Sequence, residues 1–165
     1  MRRSPSIALA IVCISLAPSV LEARAEEIVF HSVMDGSPLD LTPKPGEKET
    51  AAVRKFRRTG RNPYNQQERA LALREGRRLY AARCQGCHLS NGKGRMGTSL
   101  TDQPEYSQSL TDAGMFEIIY GGATGSMQPF SLQGLRQDNI LKVMAYVRSL
   151  RRSASPADRQ APKQQ

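Results

Sequence analysis

The chain has no tryptophan, only two histidines and three cysteines among 165 residues, and only 5% aromatic residues. So few soft ligands leave too few donors for a closed four-ligand zinc site beside any other use of the same residues. They also exclude a disulfide-stapled scaffold. Aromatic residues are not interleaved with basic ones, so the excess of 24 Lys and Arg over 15 Asp and Glu does not read as a nucleic-acid surface. Long apolar runs are missing too. The single one, Ile7 to Leu16, is too short to span a bilayer. No internal repeat is visible.

What is present concentrates in one pentapeptide, Cys84-Gln85-Gly86-Cys87-His88. C-x-x-C-H is the attachment signature of c-type haem. Two thiols add across the porphyrin vinyl groups, and the histidine that follows is placed under the iron as an axial ligand. A zinc half-site or a redox dithiol would use the same residues. Zinc would need partners the chain does not supply, and a thioredoxin-like pair needs a βαβ context that is absent.

The N-terminus gives the compartment. Met1-Arg2-Arg3 is a basic start, Ile7 to Leu16 an apolar centre, and Ala23-Arg24-Ala25 an A-x-A cleavage site. Residues 1–25 therefore read as a signal peptide cleaved after Ala25, and the mature protein as soluble and periplasmic, without stable membrane insertion. Export and haem attachment agree, because c-type haem is joined to its protein outside the bacterial inner membrane. Cys13 leaves with the peptide. Cleavage also removes three arginines and one glutamate, taking the formal charge from +9 to about +7. That balance favours docking on an acidic surface, or simply solubility.

About 140 residues remain, enough for one small domain. Ile28-Val29-Phe30 and Leu39-Asp40-Leu41 read as extended segments around the turn cluster Asp35-Gly36-Ser37-Pro38. A helix is expected from Lys48 to about Arg58, with Gly60 as its stop, and a turn at Asn62-Pro63-Tyr64-Asn65. A second helix, about Gln67 to Arg83, leads into the pentapeptide. Its Gly76 costs about 1 kcal/mol relative to alanine, which calls for a reason. Close crossing by the last helix, about Gln137 to Leu150, supplies one. Leu110 to Tyr120 reads as a further helix. The expectation is an all-α domain at 67–150 closed around one covalent haem, an N-terminal extension at 26–66 with extended segments, and a disordered tail at 151–165.

The second axial position decides the chemistry. A thioether favours the ferrous state. Met144 and Met115 belong to helical stripes, Met34 lies in the extension, and Met96 follows His88 by only eight residues. Met127 is preferred, because Gly121-Gly122-Ala123-Thr124-Gly125-Ser126-Met127-Gln128-Pro129-Phe130 is an irregular loop just before the last helix. Met96, His31 and an open position are the alternatives. A filled site means electron transfer; an open one would permit a haem sensor or enzyme.

From about Ile28 to Leu150 the chain resembles the class I cytochromes c, and more specifically the cytochrome c-L family. Gly76, Tyr80, the C-x-x-C-H, the Met127 loop and Ala145-Tyr146-Val147-Arg148-Ser149-Leu150 are the general marks. Ile28-Val29-Phe30-His31, Ala52-Val53-Arg54-Lys55-Phe56, Asn62-Pro63-Tyr64 and Gly114-Met115-Phe116-Glu117-Ile118-Ile119-Tyr120 are the specific ones. The resemblance implies a class I fold, Cys84 and Cys87 as attachment points, and His88 and Met127 as axial ligands. It implies a non-enzymatic carrier in methanol utilisation. The donor would be a quinoprotein (PQQ-dependent) methanol or alcohol dehydrogenase, and the acceptor a downstream cytochrome c or oxidase. A carrier serving another dehydrogenase or a terminal oxidase is the alternative. Bound calcium is compatible with the family but has no support in these residues. Two departures are visible. Thr98 stands where the family commonly has proline, and its carbonyl can still orient the imidazole. The chain is also basic where the family is typically acidic, which fits better a dehydrogenase lacking the basic small subunit, such as a lanthanide-dependent type.

Overall fold

The computed structural model describes residues 27–65, 69–101 and 110–153. The expected signal peptide and nearly all of the expected tail lie outside the described residues. Among the described residues there is no strand. The expected extended segments meet through one antiparallel bridge, His31 with Pro38, closed by Leu39 N–H to the Phe30 carbonyl at 2.8 Å.

Helix α1 spans Ala51–Thr59. It begins later than Lys48 because the Thr50 hydroxyl accepts from the Val53 N–H at 3.2 Å and caps it. It stops at Gly60, as the sequence indicates. A 3₁₀ turn, Pro63–Asn65, then leads to α2, Arg69–Arg83. The pentapeptide itself forms a short helix, α3, Gln85–His88, which four residues without periodicity could not announce. Helix α4 is Asp112–Gly121, and α5 is Gln137–Ser153.

Helices α2 and α5 make the principal helix–helix contact, and Gly76 makes it possible. A Cβ there would overlap the Lys142 backbone carbonyl and lie 3.1 Å from the Tyr146 Cβ. One step along the crossing, the Tyr80 and Tyr146 rings meet at 5.3 Å. Helix α5 then buries Ile140, Leu141, Val143, Met144 and Val147.

The N-terminal extension shares this core. Phe30 stacks on Phe56 of α1 at 5.1 Å, and both rings contact Phe116 of α4, at 5.4 and 5.0 Å. Such pairs contribute roughly 0.5–1.5 kcal/mol beyond burial. A polar network ties the turn to the helices. The buried Asn62 donates from its side chain to the Leu141 carbonyl at 2.7 Å and from its backbone to Asp112 at 2.8 Å. Arg148 pairs with the same aspartate at 3.1 Å.

Asp138 gathers the ends of three elements. It accepts from the Thr50 hydroxyl at 2.8 Å and the Tyr64 hydroxyl at 2.7 Å, and pairs with Lys142 at 2.8 Å. Burial pushes its carboxyl up, but the bonds from Lys142, Tyr64 and Thr50 outweigh that and hold it below the ordinary value of 3.8. A depressed carboxyl stabilises the fold above its unfolded pKa and loses that contribution as pH falls through the folded one. Asp138→Asn is therefore expected to cost about 2 kcal/mol at neutral pH. It should also flatten the loss of stability below about pH 4. Denaturant melts of both proteins between pH 2 and 7 check this; parallel acid profiles would contradict it.

Candidate functional site

Helix α2 runs into the pentapeptide without a loop: Cys84 N–H bonds the Tyr80 carbonyl at 2.8 Å, the last regular turn. Cys84 and Cys87 are unpaired and half-buried, three residues apart on one turn. Cys84 packs against the main hydrophobic cluster. Burial, and then the neighbouring Cys87, push its thiol up to about 11 against the opposing pull of Arg83. The free thiol is thus protonated at neutral pH, and a thioether in its place carries no charge to bury.

His88 closes α3. Its Nδ1 lies 2.9 Å from the Thr98 carbonyl. A carbonyl only accepts, so Nδ1 carries the proton and the Nε2 lone pair is left for a metal. Thr98 thus makes the bond expected of the commoner proline. The preceding residue matters as much. A Cβ on Gly97 would sit 2.6 Å from the His88 Cε1, so only glycine lets this backbone lie against the ring. Sequence reading named Thr98 and missed Gly97. The adjacency of a small residue to the accepting carbonyl was the available signal.

The loop from 90 to 98 is laced to the pentapeptide. Gly94 N–H bonds the His88 carbonyl at 3.1 Å, and the Arg95 and Gly97 N–H groups both bond the Cys87 carbonyl at 3.0 Å. The Arg95 guanidinium reaches the Gly86 carbonyl at 3.3 Å. The carbonyls left open by so short a helix therefore all find donors.

Met127 stands on a separate element, the loop after α4. That loop is fastened at its base by Phe130 N–H to the Ile119 carbonyl at 3.1 Å and the Ser131 hydroxyl to the Tyr120 carbonyl at 2.8 Å. Within it, Ala123 N–H bonds the Met127 carbonyl at 2.9 Å. Leu39 of the extension packs against Gly121 at the loop entrance. The Met127 side chain is half-buried and touches the same hydrophobic cluster as Cys84. The other methionines differ. Met115 and Met144 are core residues at 8% and 0% exposure, whereas Met34 and Met96 are 54% and 74% exposed. His31 is exposed, and its backbone N–H is bound to Glu117.

The donor set suits haem. Two thiols share one helical turn, an imidazole donates from Nδ1 and leaves Nε2 for a metal, and a half-buried thioether lies on apolar packing. Among the described residues no group of three or more His, Cys, Asp and Glu could hold a metal ion. No described helix is long and apolar enough to cross a membrane.

Comparison with known proteins follows the same line. Residues 71–147 match the family model described as cytochrome c oxidase, cbb3-type, subunit III. A cytochrome c-L of Methylorubrum extorquens is 35% identical over 159 residues, covering 91% of this chain and 79% of that protein. The crystal structure of cytochrome cL from the marine methylotrophic bacterium Methylophaga aminisulfidivorans superposes with a TM-score of 0.67 at 38% identity, over 74% of this chain and 81% of that one. Cytochrome cL from Hyphomicrobium denitrificans gives 0.66 at 38% identity, over 74% and 73%. The all-α architecture is accordingly that of a class I cytochrome c.

Proposed function

We propose, from the premise that the chain belongs to the cytochrome c-L family, that it is a periplasmic monohaem carrier. In this reading it takes single electrons from a PQQ-dependent methanol or alcohol dehydrogenase and passes them to the respiratory chain, without catalysing a reaction of its own. Haem c, which the family carries, supplies a one-electron couple when bound. The chain's residues do the rest. Cys84 and Cys87 would hold the group by two thioether bonds, leaving it unable to dissociate. His88 would offer Nε2 to the iron, with Thr98 fixing the tautomer and Gly97 the ring plane. Met127 would supply a thioether ligand.

The observation that carries this reading is the His88 Nδ1 bond to the Thr98 carbonyl at 2.9 Å inside the attachment segment. A structural zinc histidine would need further protein ligands close by, whereas an axial haem imidazole needs only this orienting acceptor. With both the His88 imidazole and the Met127 thioether held by it, a bound haem iron would have no site for oxygen or peroxide and would serve electron exchange alone. The burial pattern of the methionines supports Met127: exposed Met96 would have to leave solvent, and Met115 and Met144 would have to leave the core.

Reduction by a partner tests the function. Ferric protein mixed with methanol dehydrogenase and methanol is expected to show growth of its ferrous α-band far faster than an unrelated c-type cytochrome does. Equal rates would sink the partner assignment and leave the carrier reading standing.

A further inference from the structure

The residue after His88 is held where leucine rarely goes. Leu89 has φ +60° and ψ +165°, and it is the one described non-glycine residue with positive φ. A leucine Cβ collides with its own backbone there, so the conformation persists only where the surroundings impose it. Leu89 N–H bonds the Gln85 carbonyl at 2.9 Å. Its carbonyl accepts from the Tyr80 hydroxyl at 2.8 Å and, more weakly, from Gly92 N–H at 3.3 Å. The same hydroxyl lies 3.5 Å from the His88 carbonyl.

Tyr80 is well placed to hold something rigid. It is 1% exposed, it stands one helical turn beyond Gly76 on α2, and its ring packs on Tyr146 of α5. The hydroxyl thus projects from the best-fixed crossing in the molecule. The direction in which Leu89 sends the chain makes the later bonds possible: Gly94 to the His88 carbonyl, Gly97 to the Cys87 carbonyl, and the Thr98 carbonyl to the imidazole.

We propose that Tyr80 is a positioning residue for the ligating imidazole, its hydroxyl holding Leu89 at positive φ so that the following loop returns the Thr98 carbonyl to His88. This rests on the reading of His88 as iron ligand. Tyr80 acts through the backbone of Leu89. Phenylalanine at 80 keeps the ring packing and removes only the hydroxyl. Glycine at 89 reaches positive φ without help. The two positions therefore couple in a defined sense.

The test uses the haem-loaded ferric protein, following the paramagnetically shifted ring resonances of His88 by NMR together with the reduction potential. Tyr80→Phe is expected to broaden or displace the His88 resonances, shift the potential, and raise the population of the opened loop about fivefold, the worth of one neutral hydrogen bond. Tyr80→Phe with Leu89→Gly should return both signals to near wild type. Leu89→Gly alone should unfold at or above the wild-type temperature, and that result keeps the proposal testable even if Tyr80→Phe does not fold. The proposal is overturned if Tyr80→Phe leaves resonances and potential unchanged, if the double variant is as perturbed as the single, or if Leu89→Gly destabilises. A wild-type spectrum without ligated-imidazole resonances would instead remove the His88 assignment itself.

Discussion

Replacing Cys84 and Cys87 together by alanine is expected to yield a chain that carries no haem through denaturing electrophoresis. Both thioether bonds need a free thiol, and Cys84 and Cys87 are the only cysteines after residue 25. Covalent attachment keeps the local concentration of the cofactor effectively infinite. Without it, the stabilisation that haem gives the folded state depends on free haem and its dissociation constant. A chain of this size has about 5–15 kcal/mol of stability in total, so losing the group should leave it largely unfolded. Haem staining of the gel reads attachment, and far-ultraviolet circular dichroism reads the fold. A stained band from the double variant would overturn the attachment assignment. Single replacements are expected to retain one thioether and a weaker, still visible band.

A methyl group at position 76 should be nearly as damaging, and its sign is diagnostic. In an exposed helix interior, Gly→Ala stabilises by about 1 kcal/mol. At Gly76 the added carbon overlaps a backbone carbonyl, that of Lys142, rather than the end of a side chain. A carbonyl in the middle of α5 cannot rotate away, so the two helices must separate. Overpacking of this kind costs typically 1–3 kcal/mol, and a collision with backbone lies at the upper end. Gly76→Ala is therefore expected to lose about 3 kcal/mol in denaturant melts of the loaded protein, with Tyr80 and Tyr146 losing their ring contact. An unchanged or improved midpoint would mean that α2 and α5 do not cross as closely as described.

Gly76 also shows what could be read without coordinates. A glycine in the middle of a helical pattern is a local anomaly, and the apolar stripe of the last helix was the natural partner. Both signals are local, and the crossing followed from them. Helix ends were less legible. Thr50 as cap moved the start of α1, and α5 runs on through Arg151 and Arg152 because helix propensity continues after the apolar stripe has ended. The aromatic junction of Phe30, Phe56 and Phe116 joins residues 26 and 60 positions apart, and no periodicity encodes such pairings. Leu89 was the least legible of all. Nothing in a leucine announces positive φ; its conformation is imposed by a hydroxyl nine residues earlier. Cys84, Cys87 and His88 stood out because their spacing is itself a chemical signature. The choice of Met127 rested on loop composition, and its side chain is half-buried against the main hydrophobic cluster.

The account stands on thioether ligation by Met127, and the visible spectrum of the ferric protein measures it most directly. Sulfur bound to low-spin ferric haem gives a weak charge-transfer band at the red end of the spectrum. Wild type and Met96→Ala are expected to show that band and to exclude carbon monoxide in the ferrous state, because Met96 is turned to solvent. Met127→Ala should lose the band and bind carbon monoxide. Loss of the band in Met96→Ala, or ready binding of carbon monoxide by the wild-type protein, would contradict the account.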